Sequence, residues 1–179
     1  MFVVIGLGNP GHEYETTRHN AGFLFVDSLS EEFKIPVTQK KFKAFIGRGS
    51  IQEHDVLLVK PQTYMNLSGD SVQQILNYFK VPETHLIVVF DDLDLPSGQV
   101  KTRFGGGHGG HNGIRNILEC MSSDKFYRVK IGIGKPTHKS ATSDWVLHSF
   151  DKSELEALKN TIFPTVKERV LSIMREVKN

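Results

Sequence analysis

Two short runs, FVVIG at residues 2–6 and HLIVVF at 85–90, are apolar almost without interruption, and each breaks off into a polar loop. Runs this short and this uniformly apolar are strands buried inside a sheet. Between and after them the period changes. Ala21, Phe25, Leu29 and Phe33 recur every four residues, which predicts an amphipathic helix over about 20–34, stopped by Pro36. Residues 42–49 and 55–60 are β-rich runs joined by a polar turn and predict a hairpin. Val72, Ile75, Leu76 and Phe79 form a second helical face, with Ser68 as its expected N-cap. Residues 100–104 and 126–134 predict further strands, and Ile114, Ile117, Leu118 and Met121 a third helix between them. Asp151 with Glu154 resembles a capping box opening a long apolar face from Leu155 to Met174, which Pro164 is expected to kink or break. This alternation predicts a single three-layer α/β domain over residues 1–179, a twisted mixed β-sheet flanked by helices. Sites in such sheets lie outside the carboxyl ends of strands. Asn9 and Asp91 both follow apolar strands and are placed to reach one crevice.

Composition narrows the class. Hydrophobic residues make up 39% and charged residues 23%, an ordinary globular balance. The lone cysteine, Cys120, excludes an intrachain disulfide framework and a cysteine-rich zinc module. No apolar run approaches the roughly 20 residues of a membrane helix. The N-terminal MFVVIGLGNPG has no basic region ahead of its apolar stretch and reads as a strand rather than a signal peptide, so a cytoplasmic protein is expected.

Four polar motifs follow apolar runs. Gly6-Leu7-Gly8-Asn9-Pro10-Gly11 fits a dinucleotide-binding spacing, but Pro10 removes a backbone N–H from the loop and no second strand ending in an acid follows at the right distance. A tight turn explains the glycines but not Asn9. Tyr14 to Asn20 carries His19 beside Arg18, which could equally be a solvated charge. Lys60 to Gly69 sets Tyr64 beside Asn66, an aromatic surface and an amide that could serve a ligand or merely shape a turn. In Phe104 to Gly113, five glycines surround His108, and backbone N–H groups at such a helix start suit an anion. His108 and His111 could ligate a metal, but no cysteine and no H-E-x-x-H pattern accompanies them. The acids of Asp91-Asp92-Leu93-Asp94 suit a cation, a carboxylate orienting a base, or a turn.

In this order, GLGNPG, the Tyr14–Gly22 stretch YETTRHNAG, TYMNLSG, FDDLDLPSG, GGGHGGHNG and YRVKIGIGKP resemble the bacterial-type peptidyl-tRNA hydrolases, over essentially the whole chain. The resemblance implies hydrolysis of the ester between a peptide and the 3′-terminal ribose of tRNA, recycling tRNA from prematurely released peptidyl-tRNA. It implies that His19 is the general base, Asp91 its carboxylate, and Asn9 the residue that tells blocked from free aminoacyl ends. Asn66 and Asn112 match substrate-positioning amides, Tyr14 and Tyr64 match contacts to the tRNA end, and His111 is grouped with these substrate-binding residues. No metal or organic cofactor, no membrane and no obligate protein partner is implied, and a monomer is expected. The chemistry is self-consistent. A neutral imidazole can take a proton from water near neutral pH, and a carboxylate on its other nitrogen fixes the tautomer. Cys120 lies mid-helix and no serine has a G-x-S-x-G context, so water attack is favoured over a covalent intermediate.

The net charge of +2 conceals an uneven distribution: −4 over residues 1–97, +6 over 98–139 and 0 over 140–179. Lys101, Arg103, Arg128 and Lys130 flank the glycine loop and are expected to contact acceptor-stem phosphates. Two rivals are a nucleotide-dependent enzyme built on GLGNPG and an RNA-binding module without activity.

Overall fold

The computed structural model describes residues 1–137 and 142–177. Seven strands form one sheet: β1 Phe2–Gly6, β2 Gln39–Lys41, β3 Ala44–Ile51, β4 His54–Pro61, β5 Leu86–Asp92, β6 Val100–Phe104 and β7 Tyr127–Gly132. Their order is β2-β3-β4-β1-β5-β7-β6. The centre, β4-β1-β5-β7, is parallel, and β3 and β6 flank it antiparallel, so the expected mixed sheet is present. The predicted hairpin is β3–β4. The three-residue β2, all polar and exposed, extends it by one strand.

The helices are α1 Ala21–Phe33, α2 Ser68–Phe79, α3 Asn112–Met121, α4 Thr142–Val146, α5 Lys152–Ala157 and α6 Phe163–Glu176. Strand side chains alternate between two cores. Phe2, Val4, Ile87, Val89, Val129 and Ile131 face α1 and α6. Val3, Ile5, Leu86, Val88 and Phe90 face α2 and α3. Burial of alternate residues in opposite cores is why β1 and β5 read as unbroken apolar runs. None of the described helices is long and apolar enough to cross a membrane.

Local details refine the expected boundaries. Ser68 is the first residue of α2 and its hydroxyl donates to the Met65 carbonyl, so it is not the N-cap. Asp151 and Glu154 form the complete capping box. The expected long helix is interrupted just before Pro164. A π-helical turn, Leu158–Ile162, separates α5 from α6, and Pro164 sits in the first turn of α6, where its missing N–H is harmless.

The glycines of the first loop have a packing role. A Cβ on Gly6 would strike the Gly22 carbonyl, and one on Gly8 would lie 2.6 Å from the Phe23 ring. A Cβ on Gly22 would collide with the Val89 carbonyl and come within 2.5 Å of the Leu7 nitrogen. The start of α1 therefore rests directly on the ends of β1 and β5. Gly22→Ala is expected to lower the unfolding free energy by roughly 1–3 kcal/mol through backbone overpacking. Urea unfolding measures this, and a neutral effect would show that the contact can relax.

Candidate active site

Three elements meet over the end of β5. The 3₁₀ turn Arg18–Asn20 leads into α1 from one layer, and His111 is the N-cap of α3 from the other. Asp91, 2% exposed, stands between them on the strand itself. His19 Nδ1 lies 2.8 and 3.0 Å from the two Asp91 oxygens, and His111 Nε2 lies 3.0 Å from Oδ1. His19 and Asp91, 72 residues apart in sequence, are thus in direct contact. Burial pulls the His19 imidazole down, but the facing carboxylate outweighs it and lifts His19 above its ordinary value of 6.5. Burial likewise pushes the Asp91 carboxyl up, yet its two imidazole partners hold it well below the usual carboxylate range. With Nδ1–H directed at Asp91, the Nε2 of His19 is left as the basic nitrogen.

The trio opens into a crevice of about 580 Å³ lined by Asp92, Lys101, Arg103, His108, Asn112 and Val146 among others. Asn9 is nearly buried and locked. Its Oδ1 accepts from the Met65 N–H at 2.7 Å, and its backbone exchanges hydrogen bonds with the Asn20 side chain at 2.9 and 3.0 Å. Its free end is therefore Nδ2, a donor only. Asn9 lines a neighbouring depression of about 340 Å³ with Phe23, Lys60 and Gln62, rather than the crevice of His19. Asn112 is exposed at the rim of the main crevice. Tyr64 and Asn66 are exposed on or beside the 3₁₀ turn Met65–Leu67, and Tyr14 is half-buried at the end of another. These three line neither hollow.

Several expectations are corrected. The three acids do not form a cation site together: Asp92 accepts from the Asp94 N–H and faces Lys130 at 3.6 Å, while Asp94 pairs with Lys135 at 2.8 Å. The glycine loop does need its glycines, with positive φ at Gly105, Gly106, Gly109 and Gly110. The first free N–H groups of α3, however, are not an anion cradle, because Gly113 and Ile114 donate to His111 Nδ1 at 3.1 and 3.3 Å. His111, expected to contact substrate, has both ring nitrogens engaged within the protein. Arg128 is 1% exposed, and its guanidinium donates to the carbonyls of Gly106 and Gly107 above the Phe126 ring. It holds the loop from beneath and does not face solvent phosphate. Lys101 and Arg103 are exposed and Lys130 half-buried.

His19, Asp91 and His111 bring ligand atoms within 4.8 Å of one another. His111 cannot offer a lone pair here: with Nδ1 accepting, its proton is on Nε2, directed at Asp91.

Arg18 is not a solvated charge. It is 7% exposed, stacks on the Trp145 ring at 3.7 Å, donates to the carbonyls of Trp145 and His148, and reaches Glu154 at 3.7 Å. Thr17 pairs with Ser149 in an isolated β-bridge beside it. The turn carrying His19 is thus fastened to the C-terminal part of the chain. Nothing local marks Arg18, Trp145 or Asn20 for these roles, since their partners are distant backbone groups.

The peptidyl-tRNA hydrolase family model matches residues 3–179. The chain belongs to the peptidyl-tRNA hydrolase family. It is 48% identical over 162 residues to the peptidyl-tRNA hydrolase of Brevibacillus brevis, covering 90% of this chain and 86% of that protein. With the enzyme of Carboxydothermus hydrogenoformans it shares 49% identity over 162 residues, again 90% of this chain and 86% of the other. The crystal structure of peptidyl-tRNA hydrolase from Acinetobacter baumannii superposes with a TM-score of 0.88 at 38% identity, covering 98% of this chain and 91% of that one.

Because the folded Asp91 carboxyl titrates below its unfolded value, the stability it contributes is complete above the ordinary carboxylate pKa and is lost as pH falls towards the folded one. Asp91→Asn is therefore expected to cost more unfolding free energy at about pH 5 than at about pH 2.5, a window below the ordinary imidazole range in which the carboxylate change stands alone. An equal loss at both, in urea titrations, would remove the ionised carboxylate from the stability of the fold.

Proposed function

We propose that this member of the family releases peptide from peptidyl-tRNA by hydrolysing the ester to the 3′-terminal ribose, with His19 Nε2 taking a proton from the attacking water. The observation that carries the reading is the buried Asp91 carboxylate on His19 Nδ1, which leaves the opposite nitrogen basic at a crevice. The water oxygen adds to the ester carbonyl, the ribose oxygen leaves, and the proton held on Nε2 passes to it. The products are free tRNA and a peptide carboxylate. Asp91 stabilises the imidazolium during the proton's stay.

Asn9 fits the discrimination of blocked ends. A donor-only Nδ2 accepts a partner with a carbonyl, as an acylated amino end provides, and repels a free ammonium. Asn66, Asn112, Tyr14 and Tyr64 are proposed to position the peptide backbone and the tRNA end, with the side chains of the peptide left free. Lys101, Arg103 and Lys130 are proposed to hold acceptor-stem phosphates. Lys101 lies opposite Lys130 in the β6–β7 ladder. Like charges facing across a ladder are unfavourable, and a bound polyanion relieves them. We place the enzyme in the cytoplasm as a monomer without cofactor, supported by its single cysteine and the family resemblance.

Two outcomes are expected. His19→Ala will slow peptide release from an N-blocked aminoacyl-tRNA by about 10²–10⁴-fold. The parent's kcat/KM will rise with pH through a limb above the ordinary imidazole value, a limb absent from the variant's residual activity; full activity in the variant would overturn the mechanism. Arg103→Ala will weaken tRNA binding and reduce the slope of log affinity against log salt by about 1, and an unchanged slope would take Arg103 out of the footprint.

A further inference from the structure

We infer that His111 is a positioning residue for the catalytic pair, a bridge by which the N-terminus of α3 sets the orientation and basicity of the Asp91 carboxylate facing His19. This rests on the proposed role of His19 as base. The geometry defines each nitrogen. Nδ1 accepts from Gly113 and Ile114, so the ring proton is on Nε2, which donates to Asp91 Oδ1 at 3.0 Å. His111 is thereby oriented at both ends. Its ring packs edge-on against Phe90 at 4.9 Å and lies 5.0 Å from the His19 ring. A Cβ on Gly113 would come within 3.1 Å of the His111 ring, so the helix start presses directly on it.

The chemical consequence concerns the carboxylate. Asp91 receives one N–H from each imidazole, in a setting where few other groups can solvate it. Lys130 of β7 is engaged with Asp92, whose own side chain is turned into the Asp94 loop, so neither competes for Asp91. The N–H from His111 fixes the carboxylate so that His19 stands with Nε2 at the crevice, and it draws off part of the negative charge. Without it Asp91 would grip the His19 proton harder and return the base to its free form at higher pH. A carboxylate alone orients a base. A carboxylate with a second donor orients it while keeping it releasable near neutrality.

The informative variant is His111→Asn. Asparagine caps helices well through its side-chain oxygen, so α3 keeps its cap, but its short amide does not span to Asp91. Expected are an unfolding free energy close to the parent's, kcat lower by about tenfold, KM for N-blocked aminoacyl-tRNA unchanged, and the acidic limb of kcat/KM moved to higher pH. Titration of the His19 ring nitrogens by ¹⁵N NMR in the tRNA-free protein reads the same upward movement without turnover. His111→Ala, which loses cap and bridge together, will add a loss of stability. Parental kcat and an unmoved His19 midpoint in His111→Asn would overturn the inference. A raised KM with an unmoved midpoint would also overturn it and make His111 a substrate contact. His19→Ala run alongside separates the two readings: if it stays active the base assignment falls, while the NMR midpoint still decides whether His111 tunes the pair.

Discussion

The close seat of α1 on the ends of β1 and β5 is the constraint on which the site depends. Gly22 meets the Val89 carbonyl and the Leu7 nitrogen at distances that no side chain could share. His19 lies three residues before Gly22, and Asp91 two residues after Val89. The glycine contact therefore sets the separation of imidazole and carboxylate as directly as their own hydrogen bond does. A helix held off by even one methyl group would withdraw the imidazole from its carboxylate. The same seating gives the glycines of the GLGNPG loop a packing role.

Around that contact the charges are arranged by burial. A carboxylate at 2% exposure persists because two imidazoles face it. A guanidinium at 7% exposure persists because Trp145, two carbonyls and Glu154 surround it. A second at 1% holds the glycine loop by its carbonyls. Each is a buried charge used as a brace, and each brace ends within one or two residues of the crevice. Flexible glycine backbone is thereby held in place without bulky side chains narrowing the entrance.

The architecture was largely legible in the sequence because it is written in apolar periodicity. FVVIG and HLIVVF announce the central strands, and the four-residue recurrences announce α1, α2 and α3. What escaped has no apolar signature. β2 is Gln39-Lys40-Lys41, an exposed edge strand with nothing to bury, and the π-helical turn after α5 continues the same helical period. His19, Asp91 and Asn9 stand out in the sequence through motif order. Their contacts do not, since nothing in the chain states that residues 19, 91 and 111 converge. The remaining contacts are hidden for one physical reason. In sequence Arg18, Arg128 and His111 look like polar groups offered to solvent or ligand, whereas the fold engages them with backbone groups and side chains that sequence spacing does not reveal.

The fastening of the His19 turn to Trp145, His148, Ser149 and Glu154 has a consequence for how the protein comes into being. Synthesis proceeds from the N-terminus, so the loop of Asn9 and the turn of His19 emerge early, while the ring that stacks on Arg18 follows 127 residues later and Ser149, which bridges to Thr17, later still. Until then the turn has no lateral support, and Arg18 lacks the surroundings that permit its burial. The order of translation thus acts as a timer on the site. A protein that cuts the bond between peptide and tRNA braces the turn of its own site only well after that turn has been made.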